Sequence, residues 1–156
     1  MQIRLAKMND LQKILSILNE ATLDLQQKGI DQWDYPWNKN KIVNQIKNNS
    51  SYVLLDDDKI IGTFCITDID HINEFSVNVG SNYLSQIAIL PMFQGRKFGS
   101  EITNFSCSFA KEQNKTLYLD CWAGNEKLKE FYLRNGLKYI GDFPEGDYFI
   151  SIFKYT

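Results

Sequence analysis

Helical and strand-like segments alternate along this chain in the order β-α-α-β-β-β-α-β-α-β-β. That order predicts an α/β (α+β) fold, a mixed sheet with helices on both faces. Three observations carry it. Leu11, Ile14, Leu15, Leu18, Ala21 and Leu25 recur at helical spacing near the start. At mid-chain, two apolar strand-like runs, "YLSQIAIL" and "TLYLDCW", flank a helix striped by Phe98, Ile102, Phe105 and Phe109. A strand–helix–strand unit of this kind predicts a parallel pair. Finally, "LKYIGDF" and "DYFISIFKY" close the chain as a hairpin around "PEG".

The elements follow in order. "QIRLAK" alternates and reads as a short first strand. Asn9 or Asp10 is placed to cap the first helix, and Gly29 to end it. The loop "IDQWDYPWN" holds three aromatics and two acids, and Asn38 then caps a second helix carrying Ile42, Val43 and Ile46. "SYVLL" and "KIIGTFCITDI" read as strands joined by an acidic tight turn. "DHINEFSVNVGSN" is polar and reads as irregular. "NEKLKEFYLRNG" makes a short helix with Asn125 at its start and Gly136 at its end. No repeat, linker or low-complexity segment interrupts the 156 residues, so residues 1–156 are expected to form one domain.

Composition narrows the function classes. Seventeen basic and nineteen acidic residues leave a formal net charge of −2, which gives no reason to expect a nucleic-acid or anionic-membrane partner. "MQIRLAKMND" lacks the apolar stretch of a signal peptide, and no apolar run approaches the roughly 18 residues of a membrane span. Cys65, Cys107 and Cys121 lie in apolar segments and read as reduced thiols of a cytoplasmic protein. With one histidine, His71, and no close Cys/His spacing, no metal site is expected.

The chemistry concentrates at "AILPMFQGRKFGSEI", residues 88–102, where a strand meets a helix through a basic turn with Gly95 and Gly99. A helix N-terminus carries about half a positive charge and N–H groups without a partner inside the helix. Glycines let phosphate oxygens approach the backbone, and Arg96 and Lys97 add positive charge. The turn therefore reads either as a diphosphate cradle or as an ordinary tight turn. About thirty residues on, "NEKLKEFYLRNGL" places Asn125, Leu128, Phe131 and Tyr132 on a helix ended by Gly136.

These two segments together resemble the GNAT superfamily of N-acetyltransferases. The family pattern runs from a strand through a proline and "Q/R-x-x-G-x-G/A" into a helix, then through a strand to "N-x-x-A-x-x-F/L-Y-x-x-x-G-F". Here the halves are "IAILPMFQGRKFGS" and "NEKLKEFYLRNGL", and the element order matches over essentially the whole chain. The departures are Leu128 for alanine, Leu137 for phenylalanine and Lys97 for the inner glycine.

The resemblance implies a GNAT-like mixed, centrally splayed sheet and acetyl-coenzyme A as co-substrate. It places Gln94, Gly95, Arg96, Lys97, Phe98, Gly99 and Ser100 in the pyrophosphate loop. It pairs the backbone of Ile87, Ala88 and Ile89 with the pantetheine arm as an added strand. That pairing needs β-strand splay, typically at a bulge. The resemblance also puts Asn125, Lys127, Leu128 and Phe131 along the coenzyme and Tyr132 close to its sulfur. Lysine at position 97 costs strain if φ is positive there and little if the position is already helical. The helical placement is the expected one, with the ammonium facing a phosphate.

The reaction implied is acetyl transfer to a primary amine of a small molecule, peptide or protein by direct attack. The Ile89 N–H is the candidate oxyanion donor. Tyrosine titrates near 10 and a free thiol near 8.5, so Tyr132 can return a proton to the leaving thiolate as general acid. For the proton lost by the amine, the expected route is ordered water with no single essential base; Asp120, on the strand before the coenzyme helix and expected at the acceptor site, is one candidate base. His71 lies outside both motifs. A covalent acetyl-Cys121 has no histidine near it in sequence, and strand core is the expected role of Cys121.

In relatives the segment between the first two helices borders the acceptor pocket, so Gln32 and Trp33 are expected to line it, with Asp31 and Asp34 attracting an amine. The tryptophans could equally plug the sheet edge. Tyr148 is a further candidate for the acceptor pocket. Two other readings remain: a coenzyme-binding or sensor module without catalysis, suggested by Lys97, and an interaction domain using the "QWDYPW" aromatics. "DYFISIFKY" could pair across a two-fold axis as an edge strand, making a homodimer possible.

Overall fold

The computed structural model describes residues 1–30, 32–72 and 75–156; of Val79 only the backbone is described. The element order is β1 (Gln2–Leu5), α1 (Leu11–Gln27), α2 (Lys39–Lys47), β2 (Ser51–Asp56), β3 (Lys59–Ile72), β4 (Phe75–Ile89), α3 (Phe98–Glu112), β5 (Leu117–Trp122), α4 (Glu126–Arg134), β6 (Lys138–Glu145) and β7 (Tyr148–Tyr155), with short 3-10 turns at Met8–Asp10 and Pro91–Phe93. This is the order read from the sequence. Hydrogen bonds join the strands in the order β1-β2-β3-β4-β5-β7-β6. The sheet is mixed: β1–β2, β2–β3, β5–β7 and β6–β7 are antiparallel, and β4–β5 is the expected parallel pair. The chain divides into two compact units, Met1–Ile66 with Gln86–Ile102, and Thr67–Ser85 with Thr103–Thr156.

In the first unit, α1 and α2 lay Leu11, Ile14, Ile17, Leu18, Ala21, Ile42 and Ile46 against Val53, Leu55 and Ala88 in one core cluster. Asn38 caps α2 as expected, its side chain accepting the Asn40 and Lys41 N–H groups. Asp10 does not cap α1. Its carboxylate takes the Arg4 guanidinium at 2.8 Å and the Lys7 N–H at 2.8 Å instead. A charged, twofold-donating arginine outcompetes a cap. The acidic turn after β2 is real, with Asp57 at φ 52° and Asp58 at φ 62°. These values suit the primed turn that joins twisted strands.

The second unit contains most of the departures. Of the polar segment read as irregular, residues 70–72 and 75–82 are strand, because β3 runs to Ile72 and β4 begins at Phe75; residues 73 and 74 lie outside the described residues. Its polar residues conceal apolar ones: Phe75 and Val77 pack, with Ile69, against a cluster of Ile72, Tyr118, Ile150 and Ile152. On α3 the most buried residues are Ile102, Thr103, Ser106 and Ala110, and the phenylalanines at 98, 105 and 109 are only half-buried. Of the stripe read from the sequence, Ile102 is fully buried, and the small residues Thr103, Ser106 and Ala110 share that burial. The final hairpin turns at Gly146–Asp147, because Pro144 and Glu145 pair with Phe149 and Tyr148 inside the ladder. β7 pairs with β5 on one side and β6 on the other. Both its edges are therefore occupied, so "DYFISIFKY" is not the edge strand that the two-fold pairing raised from the sequence requires.

Candidate active site

At the end of β4 the backbone departs from regular strand. The parallel ladder joins Asn82 to Leu117 and Tyr83 to Tyr118. Three residues beyond Tyr83, Gln86 takes φ 54°, in the left-handed region. A residue in that conformation kinks the strand and re-aims the backbone beyond it. Ile87, Ala88 and Ile89 follow, with Ala88 buried and both isoleucines half-buried. Gly62 of β3 accommodates this segment closely, since a Cβ there would lie 3.1 Å from the Ala88 carbonyl oxygen. Leu90 N–H donates to the Ile61 carbonyl at 2.9 Å, holding the end of the strand.

The loop that follows is exposed through Gln94, Gly95, Arg96 and Lys97, with Phe98, Gly99 and Ser100 half-buried at the start of α3. Gln94 folds back, its amide Nε2 donating to the Ile89 carbonyl at 3.2 Å. The Arg96 guanidinium lies over the Phe93 ring at 5.4 Å, and Phe93 meets Phe98 edge-on at 6.2 Å. Gly95 has φ 80° and Lys97 has φ 67°. The lysine is thus not in the first helical turn, as the sequence suggested. It stands just before α3 in the conformation for which glycine is the usual residue, and its carbonyl accepts the Glu101 N–H at 3.1 Å. Left-handed backbone brings Cβ against the carbonyl oxygen, at a cost of about 1 kcal/mol or more for a residue with a Cβ.

The second unit holds the groups proposed for proton transfer. Asn125 caps α4, its Oδ1 accepting the Leu128 N–H at 3.2 Å. Lys127 is exposed, and Leu128 and Phe131 are half-buried. Tyr132 is 4% exposed, with the Phe131 ring centred 5.6 Å away and the Phe153 ring 5.5 Å away. Burial first, then Cys121 and Asp120 nearby, push its phenol well above the ordinary value, so it keeps its proton. Asp120 receives the Tyr83 hydroxyl at 2.8 Å. Burial pushes the Asp120 carboxyl up to about 6; the Tyr83 hydrogen bond opposes that rise and Glu145 adds to it. The Tyr83 phenol is pushed up chiefly by burial and by Asp120. Cys121 is buried and its thiol is pushed up to about 12, so it is no thiolate nucleophile.

Tyr132, Asp120 and Cys121 are thus brought into mutual electrostatic reach. Tyr83 and Glu145 join them, and neither was singled out from the sequence. Parallel pairing could have found Tyr83: it stands opposite Tyr118, and Asp120 lies two residues further on the same strand face.

The acceptor candidates are more scattered. Gln32 and Trp33 are half-buried, and Trp33 packs on the core cluster of the first unit, edge-on to Trp37 at 5.3 Å. Trp37 is pinned by Asn19, which accepts its N–H, and by Thr22, which accepts its Nε1–H, each at 2.9 Å. Asp34 is exposed, and Asp31 lies outside the described residues. Tyr148 is 47% exposed and its hydroxyl donates to Glu145 at 3.3 Å. His71 is exposed, with Asp70 at 2.6 Å. Among the described residues, no helix is long and apolar enough to cross a membrane.

The family model for acetyltransferases of the GNAT family matches residues 11–137. The chain belongs to that family. Solved structures agree on the fold. A GNAT-family acetyltransferase from Streptococcus agalactiae superimposes with a TM-score of 0.82 at 23% identity, over 98% of this chain and 93% of that one. The protein yncA from Salmonella typhimurium, solved with its cofactor acetyl-CoA, gives 0.73 at 14% identity, over 99% and 92%. The ribosomal-protein-S18-alanine N-acetyltransferase of Escherichia coli gives 0.71 at 16%, over 98% and 91%. No curated protein matches the chain.

Proposed function

We propose that residues 1–156 act as one N-acetyltransferase domain that moves an acetyl group from acetyl-coenzyme A to a primary amine by direct attack. The observation that carries this reading is Tyr132, buried on α4 with its proton held, in reach of a raised carboxyl at Asp120. The residues present suit the coenzyme. Exposed Arg96 and Lys97 precede the positive end of α3, and β4 turns at Gln86 before Ile87–Ile89. Pyrophosphate is held by Gln94–Ser100, the pantetheine arm by the backbone of Ile87 and Ile89, and its further contacts are Asn125, Lys127, Leu128 and Phe131. The Asn125 oxygen is committed to its helix cap, so its amide N–H groups are what it offers.

In the reaction the Ile89 N–H stabilises the oxyanion, and Tyr132 donates its proton toward the departing thiolate. A carboxyl titrating at about 6 is ionised at neutral pH, so Asp120 is the base, taking the ammonium proton directly or through water. Tyr83 orients it. The acceptor is a primary amine, the group acetylated by the neighbour named for the alanine of ribosomal protein S18. Gln32, Trp33 and Tyr148 are proposed to contact that acceptor. A screen of amines with acetyl-coenzyme A, read by free thiol release, tests the reading. Release with at least one primary amine is expected. Thiol silence across the panel together with no calorimetric binding of the coenzyme at millimolar concentration overturns it, and binding without release leaves the non-catalytic module.

A further inference from the structure

Gln86 poses a question that its place in the strand does not answer. Glycine or asparagine is the usual occupant of left-handed backbone, and a glutamine there must be held by its surroundings. Its side chain shows what holds it. Gln45 Nε2 donates to Gln86 Oε1 at 2.8 Å, and Gln86 Nε2 donates back to Gln45 Oε1 at 3.1 Å. Gln86 Nε2 also lies 3.4 Å from the Sγ of buried Cys65 on β3. The two amide groups therefore face each other in a closed reciprocal pair, each satisfying a donor and an acceptor of the other.

Gln45 is itself fixed. It lies on α2 between Ile42 and Ile46, both buried in the core. Its carbonyl accepts the Ser50 N–H at 3.0 Å and the Ser50 hydroxyl at 3.1 Å. The kink in β4 is thus tied by a side-chain pair to a helix that cannot shift easily. The residue immediately after the kink, Ile87, begins the backbone segment to which the proposed function assigns the coenzyme arm and the oxyanion.

We propose that Gln45 is a positioning residue: its reciprocal amide pair with Gln86 holds the left-handed kink of β4 and so sets the backbone of Ile87–Ile89 for coenzyme and oxyanion. The inference about catalysis rests on the acetyltransferase reading, whereas the holding of the kink stands apart from it.

The test is a pair of backgrounds. Gln45→Leu keeps the bulk and removes the amide. In Gln86→Gly, glycine adopts the kink without a clamp, so the strand no longer depends on residue 45. In the otherwise unchanged chain, Gln45→Leu is expected to speed amide hydrogen exchange at residues 87–89 and to lower kcat about tenfold, the range of coupling between contacting residues. The acceptor KM should change little. On the Gln86→Gly background, the same substitution should leave both readouts nearly where that background puts them. Equal effects of Gln45→Leu in the two backgrounds overturn the proposal, as does unchanged exchange at residues 87–89 in the single variant. Should the chain transfer no acetyl group at all, the exchange comparison still decides whether the pair holds the kink. Altered exchange with unaltered kcat in an active enzyme overturns the positioning role alone.

Discussion

The end of β4 with its loop and the Asp120–Tyr132 cluster use opposite physical means. The first acts through backbone. Gln86, Gly95 and Lys97 all have positive φ, and the loop side chains from Gln94 to Lys97 are exposed. The second acts through side chains whose properties come from burial. Tyr132 is 4% exposed, Asp120 is pushed up to about 6, and Tyr83 bonds it at 2.8 Å. A backbone site tolerates an unexpected side chain if the surroundings hold the conformation, which is how lysine and glutamine come to occupy left-handed positions. A side-chain site tolerates little, because removing one functional group leaves a buried partner unsatisfied.

That contrast can be broken most forcefully at Tyr132. Tyr132→Phe removes only the hydroxyl and keeps the ring between Phe131 and Phe153. Steady-state kinetics should show kcat lower by about a thousandfold with coenzyme KM little changed, the range for losing a general acid. An unchanged kcat would take the acid role from Tyr132.

Next is Asp120. Its carboxyl rises from an ordinary 3.8 to about 6 in the folded chain, so the folded state favours the protonated form. The resulting stabilisation is full below the unfolded value and is lost as pH rises through about 6, a difference of up to about 3 kcal/mol. Denaturant titrations should therefore show the parent chain losing stability between about pH 4 and about pH 7, while Asp120→Asn stays level. The parent is expected to show a rise in kcat/KM with a midpoint near 6, and the same variant should lose it. A parallel pH dependence in both proteins would remove Asp120 as base and as the strained carboxyl.

The smallest effects belong to the backbone site. Gly95 has φ 80°, and Gly95→Ala should cost about 1 kcal/mol in denaturant unfolding. Lys97→Gly should gain about the same, because glycine takes φ 67° without the clash. Opposite signs at two positions two residues apart would show that backbone conformation governs this loop. A loss of stability in Lys97→Gly would mean that the lysine side chain contributes more than its strain costs. Calorimetry with coenzyme then separates charge from conformation, since relief of strain tightens binding and loss of the ammonium weakens it.

Much of the fold was legible because it rests on local pattern. Ile14, Leu18 and Ala21 on one helix face, Asn38 before α2 and the apolar run from Tyr83 to Leu90 each state their element within a few residues. The strands at residues 70–72 and 75–82 were not legible, since Ile72, Phe75 and Val77 are spaced among polar residues and show their purpose only against Tyr118, Ile150 and Ile152. The α3 stripe was legible only in part: Ile102 is fully buried, but the other fully buried α3 positions are the small Thr103, Ser106 and Ala110, whose side chains give a weak apolar signal.

By itself the sequence determined the family and the element order, and it supplied the proposals for residues 94–100 and Tyr132, because glycines, caps and periodic apolar residues act over short stretches of chain. Only the tertiary structure decided that Lys97 is left-handed, that Gln45 hydrogen-bonds Gln86 across 41 residues, and that Tyr83 reaches Asp120 across 37. Dihedral strain and buried hydrogen bonds depend on what the rest of the chain brings alongside. No local pattern of residues encodes that.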